Sequence, residues 1–215
     1  MGYFVTKVPV IVRSVMMSLS EFPKGKYQII YCDPAWDYRD KAKAGKRGSS
    51  FKYDVMKVQD IMRLPVWDIA DNNCVLFMWA TAPLMQDALD VIKAWDFTYK
   101  TFAFVWTKRQ KTNSKYAVGM GNYSKSNAEY VLVATRGHPK VINDTVKQII
   151  DTPRRKHSQK PDRVRTDIVK MYGDISRIEL FSRAKVFGWD VWGNDPALSN
   201  KTLDDTIDTD VSFRV

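Results

Sequence analysis

Asp33-Pro34-Ala35-Trp36 follows directly on the apolar run Tyr27–Cys32 and brings a carboxylate, a proline-fixed backbone and an aromatic plate together within four residues. These are the groups needed to alkylate an exocyclic amine of a nucleobase. The lone pair of such an amine, adenine N6 for instance, is delocalised into the ring and must move toward tetrahedral geometry before it can attack a methyl donor. The Asp33 carboxylate and the Pro34 carbonyl, accepting its two N–H bonds, would favour that geometry and stabilise the developing positive charge. Trp36 could stack on the base, a contact worth about 1–3 kcal/mol. Taken alone, Asp-Pro-x-Trp reads more readily as a strand-ending turn beside a core tryptophan.

The elements around it decide between these readings. Pro34 has no N–H for a sheet ladder and fixes its own φ, so the run 27–32 must stop there. That stop places Asp33 and Trp36 at the carboxyl end of a buried strand, where open α/β sheets hold their ligands. Further strands are expected over 73–81, 98–107, 129–135, 146–150 and 177–182, all rich in Val, Ile, Phe and Tyr. Helices are expected over 83–95, where Leu84, Ala88, Leu89, Val91 and Ile92 recur at helical spacing, and from Pro161 to Tyr172, with a shorter one near 57–64. The alternation predicts an α/β fold with a mostly parallel central sheet flanked by helices.

Composition fits one enzyme-sized domain: 215 residues, 45% hydrophobic and 13% aromatic, without a break in the middle. No stretch approaches the ~18 uninterrupted apolar residues of a membrane span, and the apolar run Val8–Val12, interrupted by Arg13, is too short to read as a signal peptide. Cys32 and Cys74 lie inside apolar runs and read as buried free thiols of a reducing, cytoplasmic compartment. With two histidines and no Cys-x-x-Cys, a metal site has little support.

The net charge of +10 is unevenly spread. Residues 38–53 carry six cations against Asp40, residues 108–127 carry Lys108, Arg109, Lys111, Lys115 and Lys125, and residues 153–165 carry six cations against Asp162. Each segment is +5, so the remainder of the chain is acidic. Tyr38, Phe51, Tyr53, Tyr116 and Tyr123 are interleaved with these cations, a pattern suited to a nucleic-acid groove, although three solvated loops would look similar. Arg39 to Ser50, nearly free of large apolar residues, is expected to order only over substrate.

In order and spacing the chain resembles the MT-A70 family of adenine-N6 methyltransferases across roughly residues 22–196. The likeness runs through Asp33-Pro34-Ala35-Trp36, Val75 to Thr81, Phe104 to Lys108, Gly119 to Tyr123, Glu129 to Gly137, His157 to Asp162, Glu179 to Arg183 and Gly188 to Asn194. One position departs: Ala35 stands where the family has a second proline. The resemblance implies a Rossmann-like domain over 22–196, preceded by a segment 1–21 and followed by an acidic tail 197–215. It also implies S-adenosylmethionine as methyl donor, held by Lys160, Arg183 and Asn194 with Asp195 adjacent, and by Asp33 and Phe181 at the strand ends. Trp36, Tyr38, Tyr53, Tyr123, Lys125 and Glu129 fall to the substrate side.

The dinucleotide fingerprint Gly-x-Gly-x-x-Gly is absent, and Gly119-x-Gly121 reads as part of a substrate-side loop. By analogy with compact bacterial and phage members, DNA is favoured over RNA as the substrate, and pairing into a homodimer is expected. Two other classes stay open: a cytosine-N4 methyltransferase with a similar Asp-Pro-x-aromatic loop, and a non-catalytic nucleic-acid-binding subunit of the same fold. Asp33, Lys160 and Arg183 favour an enzyme.

Overall fold

The computed structural model describes residues 22–37, 55–119, 121, 123–155 and 159–193. The expectations for residues 1–21, the 39–50 loop and the 197–215 tail, together with those for Tyr38, Tyr53, His157, Asn194 and Asp195, lie outside them.

The order of elements is β1 (Tyr27–Cys32), α1 (Val58–Met62), α2 (Val66–Ile69), β2 (Ala70–Ala80), a 3₁₀ turn (Ala82–Leu84), α3 (Met85–Ala94), β3 (Thr98–Arg109), β4 (Ala128–Arg136), β5 (Ile149–Pro153), α4 (Arg163–Tyr172), β6 (Arg177–Leu180) and β7 (Asp190–Trp192). The seven strands form one sheet in the order β5-β3-β4-β2-β1-β6-β7. The β1–β2, β1–β6, β6–β7 and β3–β5 pairs are parallel, while β4 runs antiparallel to both β2 and β3. The mostly parallel sheet is thus observed, with β4 alone reversed.

Strand alternation divides the core between two faces, because successive side chains of a strand point to opposite sides. Ile30, Cys32, Cys74, Leu76 and Met78 pack on one face with Ile61 of α1 and Ala88, Val91 and Ile92 of α3. Ile29, Tyr31, Val75, Phe77 and Trp79 pack on the other with Val164, Ile168 and Tyr172 of α4. Burial of each large side chain contributes about 1.5–3 kcal/mol, so β1 and β2, apolar on both faces, anchor the sheet. Both cysteines are buried and unbridged, as expected.

The differences from expectation are local. β5 lies three residues later than predicted, because pairing with β3 sets its register, Val105 opposite Ile149 and Arg109 opposite Pro153. Val146, which drew the prediction earlier, packs instead on the second core as a partly buried residue. β7 and α2, three and four residues long, are too short to show a period. The 57–64 helix is confined to α1, and the 83–95 helix opens as a 3₁₀ turn before α3.

The chain leaves β1 for β2 on one side and returns to β6 on the other, so the strand order reverses at β1. Its carboxyl end is the switch point where open α/β sheets bind ligands. Asp33 is the first residue beyond it.

Candidate active site

Beyond β1 the backbone turns at once. The Trp36 N–H donates to the Pro34 carbonyl at 2.8 Å, closing a three-residue turn centred on Ala35, and the Ala35 carbonyl accepts the Met56 N–H at 2.8 Å. Trp36 is 4% exposed and donates its indole N–H to the Trp79 carbonyl at 3.3 Å. It therefore forms part of a cavity wall, its ring set largely into the core. The commoner i→i+2 turn has a central φ near about −75°, close to the value proline imposes. Ala35→Pro is accordingly expected to stabilise the fold by about 0.4–1 kcal/mol and to leave the turn intact. Thermal unfolding checks this, and a fall in Tm would show that the Ala35 φ is unlike proline's.

Asp33 is held by a residue from far along the chain. Lys160, in the segment before α4, places Nζ 2.7 Å from Asp33 Oδ2 and 3.4 Å from Glu129 Oε2. Glu129, at the start of β4, also pairs with Lys108 at the end of β3. The reversal of β4 explains this meeting, because it brings the amino end of that strand to the carboxyl edge of the others. The ammonium of Lys160 stands over the Trp79 ring at 5.1 Å and that of Lys108 over Trp106 at 4.9 Å, adding cation–π attraction.

Burial by itself pushes the Glu129 carboxyl up, but Lys160 and Lys108 outweigh it and hold its pKa below the usual glutamate value. A carboxylate depressed in the folded state contributes stability above its unfolded pKa, about 4.3. That contribution is lost as pH falls through the folded value. Tm is expected to drop through this acid range more steeply in the wild type than in Glu129→Gln, as followed by calorimetry. Parallel pH curves for the two proteins would contradict the assignment.

Two cavities meet at this pair. One, about 430 Å³, is lined by Asp33, Trp36, Trp79, Trp106, Lys108 and Glu129, with Gly119, Ser126 and Asn127 from the β3–β4 loop and Arg154 and Arg155 beyond β5 at its rim. The other, about 500 Å³, is lined by Glu179, Phe181, Ser182, Arg183, Lys185 and Phe187 at the end of β6. Asp33, Gln159 and Lys160 line both. Two of the three basic segments, 108–127 and 153–165, thus contribute to the first cavity; the third, 38–53, lies outside the described residues.

In the second cavity Phe181 has φ +62°, a left-handed conformation uncommon outside glycine, which turns the chain sharply as β6 ends. Ser182 N–H donates to the Trp192 carbonyl at 3.0 Å, and a Cβ at Gly193 would stand 1.9 Å from the Ser182 carbonyl oxygen. Only glycine permits that approach of the β6 and β7 ends. Glu179 accepts from Arg165 through both oxygens, at 2.6 and 2.7 Å. Burial raises the Glu179 pKa against this partner, while Arg165 holds its proton more tightly than an ordinary guanidinium.

Of the residues expected to act, Asp33, Pro34, Ala35 and Trp36 form the turn. Asp33 and Glu129 converge on Lys160, and Phe181 and Arg183 line the second cavity. Tyr123 and Lys125 are exposed on the β3–β4 loop and do not line the first cavity. Sequence reasoning gave no role to Trp79, Gln159 or the Arg165–Glu179 pair. For the last there was a signal: a glutamate between Ile178 and Leu180 in an apolar strand is rarely buried without a partner.

The MT-A70 family model matches residues 27–195. The chain belongs to the MT-A70 family. Over 192 residues it is 36% identical to the Type II methyltransferase M.MunI of Mycoplasma sp, covering 80% of this chain and 79% of that protein. It is 24% identical to the human N(6)-adenosine-methyltransferase catalytic subunit METTL3 and 25% identical to the Drosophila melanogaster N(6)-adenosine-methyltransferase MT-A70-like protein, each over 161 residues. Those matches take in 74% of this chain and about a quarter of the longer relatives.

MT-A70 methyltransferases use S-adenosylmethionine as methyl donor. That molecule combines a carboxylate, an ammonium, a sulfonium and an adenosine. The second cavity brings Lys160, Arg183 and Lys185 together with Asp33, Asp162 and Glu179, and adds the rings of Phe181 and Phe187. Both signs of charge and an aromatic surface are present, so the residue set fits the donor. Among the described residues no helix is long and apolar enough to cross a membrane.

Proposed function

We propose that this MT-A70 protein transfers a methyl group from S-adenosylmethionine to the N6 amine of adenine in DNA. One observation carries the reading: Asp33 and Lys160 stand where the two cavities meet, so an amine entering one comes within reach of a methyl group delivered from the other. When bound, S-adenosylmethionine supplies a methyl group activated by its sulfonium. Lys160 fixes the orientation of the Asp33 carboxylate through Oδ2, leaving its other oxygen to accept an N–H of the amine. The Pro34 carbonyl, one lone pair already taken by Trp36 N–H, accepts the second. Trp36, Trp79 and Trp106 give the base an aromatic, water-poor surround, in which the Asp33 charge acts more strongly on the cationic amine that forms. Lys160 also lines the donor cavity, where it can pair with the methionine carboxylate, and Arg183 can hydrogen-bond the ribose.

Support for DNA comes from the greater similarity to the Type II methyltransferase; the RNA reading rests on the adenosine methyltransferases matched at 24–25% identity. Labelled methyl transfer to native DNA, denatured DNA and RNA, followed by mass spectrometry of the nucleosides, separates these and the cytosine-N4 class. N6-methyladenine from DNA is the expected product. Failure of every polymer, together with absence of S-adenosylmethionine binding, would sink the enzyme reading. A homodimer is part of the proposal and is read by sedimentation.

A further inference from the structure

We propose that Tyr123, at the tip of the loop between β3 and β4, enters the base stack of a DNA duplex as the target adenine leaves it. The inference rests on the reading above that DNA is the substrate. The first cavity, about 430 Å³, is lined by the proposed acceptor, Asp33, together with three indoles; it has the size for a base and not for a duplex, so a paired adenine reaches it only by leaving the helix. A base that leaves opens a gap, and proteins that unstack duplexes commonly insert a side chain there.

The loop is built for such a contact. Residues 110–127 include Lys111, Lys115 and Lys125 and no Asp or Glu, so the whole segment is complementary to phosphate. Its arms are clasped by hydrogen bonds from Ala117 N–H to the Lys108 carbonyl at 2.7 Å, Lys108 N–H to the Asn127 carbonyl at 3.0 Å and Gly119 N–H to the Ser126 carbonyl at 2.6 Å. At Gly121 a Cβ would stand 2.1 Å from the Ser124 carbonyl oxygen, a close backbone approach that glycine permits. Ser126 lines the cavity, and Tyr123 is three residues away, at most about 10 Å of chain.

Two aromatics on this loop are distinguished by their surroundings. Tyr116 is 47% exposed, lies under the Arg109 guanidinium at 4.9 Å and bridges Arg109 in an antiparallel pair, so it already serves the loop. Tyr123 is 104% exposed, its ring turned wholly to solvent, on the loop whose Gly119, Ser126 and Asn127 line that cavity. An apolar ring so placed gains most by stacking between bases.

The test uses the full chain, once the methylated site in plasmid DNA has been mapped. Two duplexes carry that site, one fully paired and one with an abasic position opposite the target adenine, so that the target is already unpaired. Tyr123→Ala is expected to lower kcat/KM on the paired duplex about tenfold or more and to change it little on the abasic one. Tyr123→Phe, which keeps the ring, should resemble the wild type on both. Equal loss on both duplexes, or no loss on the paired one, would overturn the proposal. If the wild type methylates no DNA, the substrate reading itself fails and the inference falls with it.

Discussion

Asp33→Ala is expected to lower kcat for methyl transfer by about 10²–10³, the usual loss when one group aimed at developing charge is removed. The effect should fall on kcat more than on KM for nucleic acid, because the carboxylate matters most when the amine becomes cationic. Asp33→Asn makes the stricter comparison. It keeps the shape but removes the charge, and it can turn an amide NH₂ toward the Lys160 ammonium 2.7 Å from Oδ2. Both variants should therefore be impaired, with S-adenosylmethionine binding by calorimetry separating lost chemistry from lost donor. Wild-type kcat in Asp33→Ala would remove Asp33 from the reaction.

The second large effect is expected at Lys160, which ties Asp33 to Glu129 and is proposed to hold the methyl donor. Lys160→Met leaves Asp33 and Glu129, with side chains 25% and 18% exposed, to face each other without their shared cation. Breaking a fully buried pair costs about 3–5 kcal/mol. Partial exposure screens these charges, so about 2 kcal/mol is expected here, or a fall in Tm of about 4–8 °C for a chain of this size. S-adenosylmethionine affinity should drop at least about tenfold with the loss of a charge-assisted contact. Adding Asp33→Asn to Lys160→Met separates the two roles, since removing the orphaned charge should return part of the stability and none of the activity. If Lys160→Met unfolds like the wild type and binds the donor normally, the ammonium holds neither.

Both predictions concern one point in space where groups distant in sequence meet. The turn that carries Asp33 holds its shape with Ala35 in place: it is closed by Trp36 N–H and the Pro34 carbonyl and tied to Met56 through the Ala35 carbonyl. None of those bonds requires a second proline.

How much of this was legible beforehand follows the range of the forces. β1, β2, β3, β4, α3 and α4 were readable because their apolar spacing is local and their packing satisfies it. The Asp-Pro stop was readable because proline has no N–H to continue a ladder. β5 was misplaced by three residues and β7 went unseen, because pairing with a neighbouring strand defined each of them.

The sequence by itself determined an α/β chain with a carboxylate at a strand end, a family-specific order of motifs and basic charge gathered in three segments. Tertiary structure decided which of those groups lie together. Lys160 reaches Asp33 across 127 residues, and the reversed β4 delivers Glu129 to the edge where β3 delivers Lys108. Asp33 became the common wall of two cavities only when the sheet order turned at β1. A period along the chain records which face a residue occupies; an ion pair between distant segments leaves no period, and only the folded sheet brings its partners within reach.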